Sequence, residues 1–166
     1  MTSKGLSRAM QSLFIVAVFA SAFLIFLVQP MVAKRILPWF GGAPAVWTVC
    51  LAFYQSALFL GYAYAHLLIR FARPSLQLGV HAVAVAAAIA VLPVLPGPAW
   101  EPQGQGEPTV RILAMLLANV ALPFMLLAAT GPLVQTWFAR RDPLRSPYPL
   151  YAVSNLGSLQ IGRAHV

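Results

Sequence analysis

The stretch SLFIVAVFASAFLIFLVQPMVA, residues 12–33, contains no ionisable side chain, and none stands between Arg8 and Lys34. At a rise of about 1.5 Å per residue, a helix of this length crosses a hydrocarbon core of about 30 Å. A secretory signal peptide is the competing reading, with Lys4 and Arg8 as its basic head and Ala20-Ser21-Ala22 as its cleavage site. Against that reading, the apolar run continues well past the supposed cut, through residues 23–28, so the segment reads as a retained membrane helix.

The rest of the chain is of the same kind. Its 166 residues are 60% hydrophobic and 8% charged, with a mean hydropathy of +0.79. Soluble domains carry about a quarter charged residues, so this composition is that of a chain solvated by lipid. It excludes intrinsic disorder, and the single Cys50 excludes an internal disulfide or a cysteine-based zinc site. Further apolar blocks cover residues 45–69, 76–95 and 110–138, and a fifth begins near residue 148. Pro123 and Pro132 interrupt the fourth block, which predicts a tilted, kinked or broken helix there. The expected fold class is an all-α polytopic transmembrane bundle over residues 1–159, with four helices and the first part of a fifth. Residues 93–106, rich in Pro and Gly, read as an irregular extracytoplasmic loop.

The net charge of +8 would raise nucleic acid as a partner if the cations shared one soluble face. They fall instead in small groups between the apolar blocks, so the lipid bilayer is the expected partner and nucleic acid is not. With the N-terminus in the cytoplasm, the inner segments hold Lys4, Arg8, Arg70, Arg73, Arg140, Arg141 and Arg145, while the outer ones hold Lys34, Arg35 and Arg111. Seven against three places the N-terminus inside, as expected for a multi-pass protein of a bacterial inner membrane. Trp39, Phe40, Trp47 and Trp100 then mark the outer interface, and Trp137, Tyr148 and Tyr151 the inner one.

Few residues stand out as functional. Pro30 has no N–H for the Phe26 carbonyl, so Gln29 and Pro30 make either a simple kink near the interface or a polar spot completed by a neighbouring helix or water. Lys34 and Arg35 either snorkel to headgroups or line an anion-attracting mouth. Asn119 and Pro123 form a similar pair, because the carbonyl freed by Pro123 is that of Asn119; its amide is expected to bond a neighbouring helix or to contact a solute. His66 reads as an interfacial histidine rather than part of a proton relay, for which a carboxylate partner would be expected. Ala57, Gly61 and Ala65 form one small-residue face, and Ala82, Ala86 and Ala90 another, where helices can approach closely. Paired carboxylates, His-x-x-x-His and phosphate-binding glycine loops are absent from the sequence, so no catalytic residue, metal ligand or cofactor site is assigned.

The run FLVQPMVAKRILPWFGG, residues 26–42, with AVWT at 45–48 and LGYAYAH at 60–66, resembles the membrane half of bacterial fused proteins. In these a major-facilitator-like helical region precedes a spermidine-synthase-like domain, and YAVSNLGSL at 151–159 is similar to the start of a later helix. The resemblance implies a longer parent with more helices and a cytoplasmic aminopropyltransferase-like domain, and transport of a polyamine or related solute. A stand-alone permease component and a membrane scaffold without transport are the alternatives. The acidic amine-binding residues of such a domain have no counterpart in this chain. Residues 161–166, IGRAHV, fit the reading of a common sequencing adapter, ATC GGA AGA GCA CAC GTC, whose preceding AG would complete a Gln160 codon. Residues 160–166 are therefore expected to be non-native, and the natural sequence to be lost from codon 160 onward.

Overall fold

The computed structural model describes residues 3–41, 44–90, 92–102, 107–141 and 148–164. It is 90% helical and contains no strand among them. In chain order the helices are α1 (Ser3–Phe40), α2 (Pro44–Phe71), α3 (Pro74–Ala90), α4 (Pro108–Asn119), α5 (Ala121–Arg141) and α6 (Tyr148–Ala164), with a 3₁₀ turn at Pro98–Trp100. Three stretches are long and apolar enough to cross a membrane: Met10–Phe40, Pro44–Phe71 and Ala121–Arg141.

The outward face of this bundle is apolar. Phe59 and Val83 are each 71% exposed, and Leu51, Leu67 and Ile89 are also exposed. In water, such a surface would lose roughly 25 cal/mol for every Å² of apolar area it failed to bury; against acyl chains the loss disappears.

Helix ends depart from the expected blocks for identifiable reasons. The first block, expected over residues 12–33, is the middle of a 38-residue helix that continues through Lys34 and Arg35 to Phe40. Charged side chains mark where lipid gives way to headgroups, but they do not stop a helix. The stop comes at Gly41, whose φ of +76° is the left-handed cap that glycine adopts without strain. The third block, expected over residues 76–95, is helical only to Ala90, because Pro93 disfavours helical geometry at the residue before it. Its 17 residues span about 26 Å.

Block four, expected as one element over residues 110–138, is two helices joined end to end at Val120, whose backbone stays in the helical region at φ −113°, ψ −32°. Bonds cross the joint, from Val120 N–H to the Leu116 carbonyl (2.9 Å) and from Phe124 N–H to the Val120 carbonyl (3.0 Å). Proline at 123 cannot donate to Asn119, so the helical ladder loses a rung there.

Helix α5 is the spine, packed against α1, α2, α3 and α4, while α6 packs chiefly on α1. Phe14 meets Phe138 edge-on at 6.2 Å, which brings the start of α1 and the end of α5 to the same end of the bundle. Trp39, Phe40 and Trp100 gather at the opposite end, around a core that includes Ile36, Val46 and Ile112. Arg111 ties the loop beneath Trp100 to α4, donating to the carbonyls of Trp100 (3.1 Å) and Glu101 (2.7 Å).

The Ala57–Gly61–Ala65 face packs as its spacing predicts: all three residues are buried, and Gly61 lies against Met125 and Ala128 of α5. The second small-residue face does not. Ala82, Ala86 and Ala90 point outward, and α3 buries Gln77, His81 and Ala88 instead. Alanine spacing allows close approach without requiring it, whereas a buried amide and imidazole need polar partners, and α5 carries those.

Candidate functional site

A hollow of about 540 Å³ opens between α1, α2, α5 and α6. That volume falls within the range of about 300–1,000 Å³ usual for small-molecule sites. Its polar lining comes from Ser21 and Gln29 of α1, Gln55 and Tyr62 of α2, Gln135 of α5, and Tyr151 and Ser154 of α6. The spacing is helical on every wall: 21, 25 and 29 on α1, 55, 58 and 62 on α2, and 128, 131 and 135 on α5. Each of these helices thus turns polar side chains toward the hollow at helical spacing, interleaved with apolar ones such as Ile25, Leu58 and Ala128. No Asp, Glu, Lys, Arg or His lines it among the described residues.

Of the residues singled out from sequence, Gln29 belongs to this hollow, and Pro30 adjoins it by freeing the carbonyl of the lining residue Phe26. On the facing wall Pro132 acts in the same way on Ala128, which also lines the hollow. The other candidates do not converge on it. Lys34 and Arg35 are exposed on α1, and the Arg35 guanidinium lies 5.2 Å above the Trp39 ring, a cation–π contact at the bundle's end. His66 is exposed on α2. Asn119, expected to reach a neighbouring helix, donates from Nδ2 to the Met115 carbonyl of its own helix at 2.8 Å. This local bond is open to any Asn whose carbonyl four residues earlier lies within reach, and it needs no partner helix. Pro123 lies elsewhere, beside an apolar recess that also touches Val85 and Ile89 of α3. Asp142, the one aspartate in the sequence, falls outside the described residues.

A second polar group, passed over in the sequence, joins α2, α3 and α5. Gln77 is fully buried; its Nε2 donates to the carbonyls of Ala72 (2.8 Å) and Ile69 (3.4 Å) at the end of α2. Its Oε1 accepts from Trp137 Nε1 (2.9 Å) and from Arg140 Nη1 (3.5 Å). One turn along, the Thr130 hydroxyl gives its proton to the Leu126 carbonyl (2.8 Å), so it accepts from His81 Nε2 (3.1 Å). That leaves His81 Nδ1 an acceptor, buried without a protein partner, as is the Tyr64 hydroxyl on the ring 6.0 Å away. The signal for this group was Gln77 and His81 four residues apart, on one face of an otherwise apolar helix.

Two substitutions here should separate bonded from unbonded hydroxyls. Tyr64→Phe removes a group with no protein partner and should leave stability within about 0.5 kcal/mol of the parent, whereas Thr130→Val strands His81 Nε2 and should cost about 1–2 kcal/mol. Thermal unfolding in detergent reads both.

Comparison with protein-family models, with curated proteins and with solved structures returns no match to this chain.

Proposed function

We propose that this chain is the N-terminal membrane region of a longer bacterial inner-membrane protein, related to the fused major-facilitator-like and spermidine-synthase-like proteins. In this reading it anchors a cytoplasmic aminopropyltransferase-like domain and carries a small polar solute across the membrane. Helices α1, α2 and α3, together with α4 and α5 acting as one kinked rod, are four crossings; α6 begins a fifth, and the N-terminus is cytoplasmic. The observation that carries the transport part is the amide-lined hollow, since a pure anchor has no use for a polar stripe on four helices. The sequence resemblance of residues 26–42 and 60–66 carries the kinship.

Topology is tested with single cysteines in a Cys50→Ser background. A membrane-impermeant maleimide should label Thr109→Cys in intact spheroplasts and label Ser75→Cys only after permeabilisation; the reverse pattern overturns the orientation. Transport is tested by uptake of labelled solute into proteoliposomes holding the full-length protein. A glycine-rich nucleotide-binding domain downstream in an intact gene supports the fused parent, and its absence leaves the stand-alone permease.

A further inference from the structure

We propose that the hollow takes a small uncharged solute that both donates and accepts hydrogen bonds, of the polyol, sugar, carboxamide or nucleobase kind. This rests on the hollow being the solute path. Half-buried Gln29 and Gln135 and exposed Gln55 reach it from three different helices, and no hydrogen bond ties any of these amides to another described residue. Each offers two N–H donors and a carbonyl with two lone pairs. The carbonyls of Phe26 and Ala128, deprived of their usual donors by Pro30 and Pro132, add acceptors on facing walls.

Acyl chains are a poor filling for such a space. A bare amide placed in hydrocarbon costs about 4–8 kcal/mol, so three around one hollow are matched to water or to a polar solute. The same hollow is poorly matched to charge. Among the described residues no carboxylate lines it to pair with an ammonium, and no Lys or Arg lines it to pair with a phosphate or carboxylate. An unpaired ion at membrane depth is expensive, and a polyamine carries several. A neutral solute exchanges its waters for amides and carbonyls of the same hydrogen-bonding kind, which is the match the lining offers.

The test uses the full-length protein in lipid nanodiscs, with equilibrium dialysis of labelled D-glucose, myo-inositol, nicotinamide, uracil and spermidine. At least one uncharged probe should bind saturably, weaken tenfold or more in Gln55→Leu and in Gln135→Leu, and recover in part in Gln135→Asn. Unchanged melting temperatures for the variants exclude misfolding. Binding of spermidine alone overturns the solute class while leaving the hollow as a binding site. Binding of no probe, spermidine included, overturns the reading of the hollow itself and makes the three glutamines ties between helices.

Discussion

Gly61→Ala should lower the stability of the bundle by about 2 kcal/mol, the net of two opposed effects. A Cβ built at this position lies 2.5 Å from the Met125 carbonyl oxygen and 2.7 Å from the Ala128 Cβ, so α2 and α5 must move apart. Overpacking of this kind costs up to about 3 kcal/mol when the obstacle is backbone, which cannot rotate away. Alanine's helical preference over glycine returns about 1 kcal/mol. Gly79→Ala is the matched control: nothing stands within 4 Å of its Cβ, so only the helical gain applies and stability should hold or rise. Opposite shifts in melting temperature are therefore expected from the same chemical change on neighbouring helices. Equal shifts would show that α2 and α5 do not meet as closely as described.

Gln77→Leu should cost about 3 kcal/mol, the largest loss expected from any described polar position. The side chain is fully buried and fastens three helices through one amide. Leucine fills the space but strands the Trp137 indole N–H and takes a donor from the Ala72 carbonyl, each left-over buried group costing about 1–3 kcal/mol. Gln77→Glu is the sharper comparison. Its carboxylate still accepts from Trp137 and Arg140 but turns a second oxygen toward the Ala72 carbonyl, where a donor is required. Melting should fall in both variants, and the Trp137 fluorescence should move further toward a solvated spectrum in the leucine variant.

The apolar blocks in the sequence locate every long helix, because a run without charge can be solvated by lipid only with its backbone hydrogen bonds closed on themselves. Helix ends were less legible. The limit at Ala33 was set by Lys34 and Arg35, which report the depth of the headgroups, whereas Gly41 and Pro93 report backbone geometry and lie closer to the observed stops. Gln29 stood out because an amide beside a proline is conspicuous in an apolar run. Gln55 and Gln135 were no less amide, but their significance is relational: only the packing of α2 and α5 brings them to the hollow that Gln29 also lines. Gln77 and His81 were hidden for a similar reason, since a buried polar pair is tolerable only where partners come from other helices, here Trp137 and Thr130. Lys34, Arg35, His66 and Asn119 were equally visible in the sequence, and each is accounted for locally, by exposure or by a bond within its own helix.

The clasp made by Arg111 bears on acid tolerance. It holds the loop at the Trp39 end of the bundle through two main-chain oxygens, those of Trp100 and Glu101, rather than through the carboxylates of Glu101 or Glu107. A main-chain carbonyl has no proton to gain across the range in which carboxylates are neutralised. The Trp100–Glu101 segment, fastened in this way, keeps its hold on α4 as the medium acidifies.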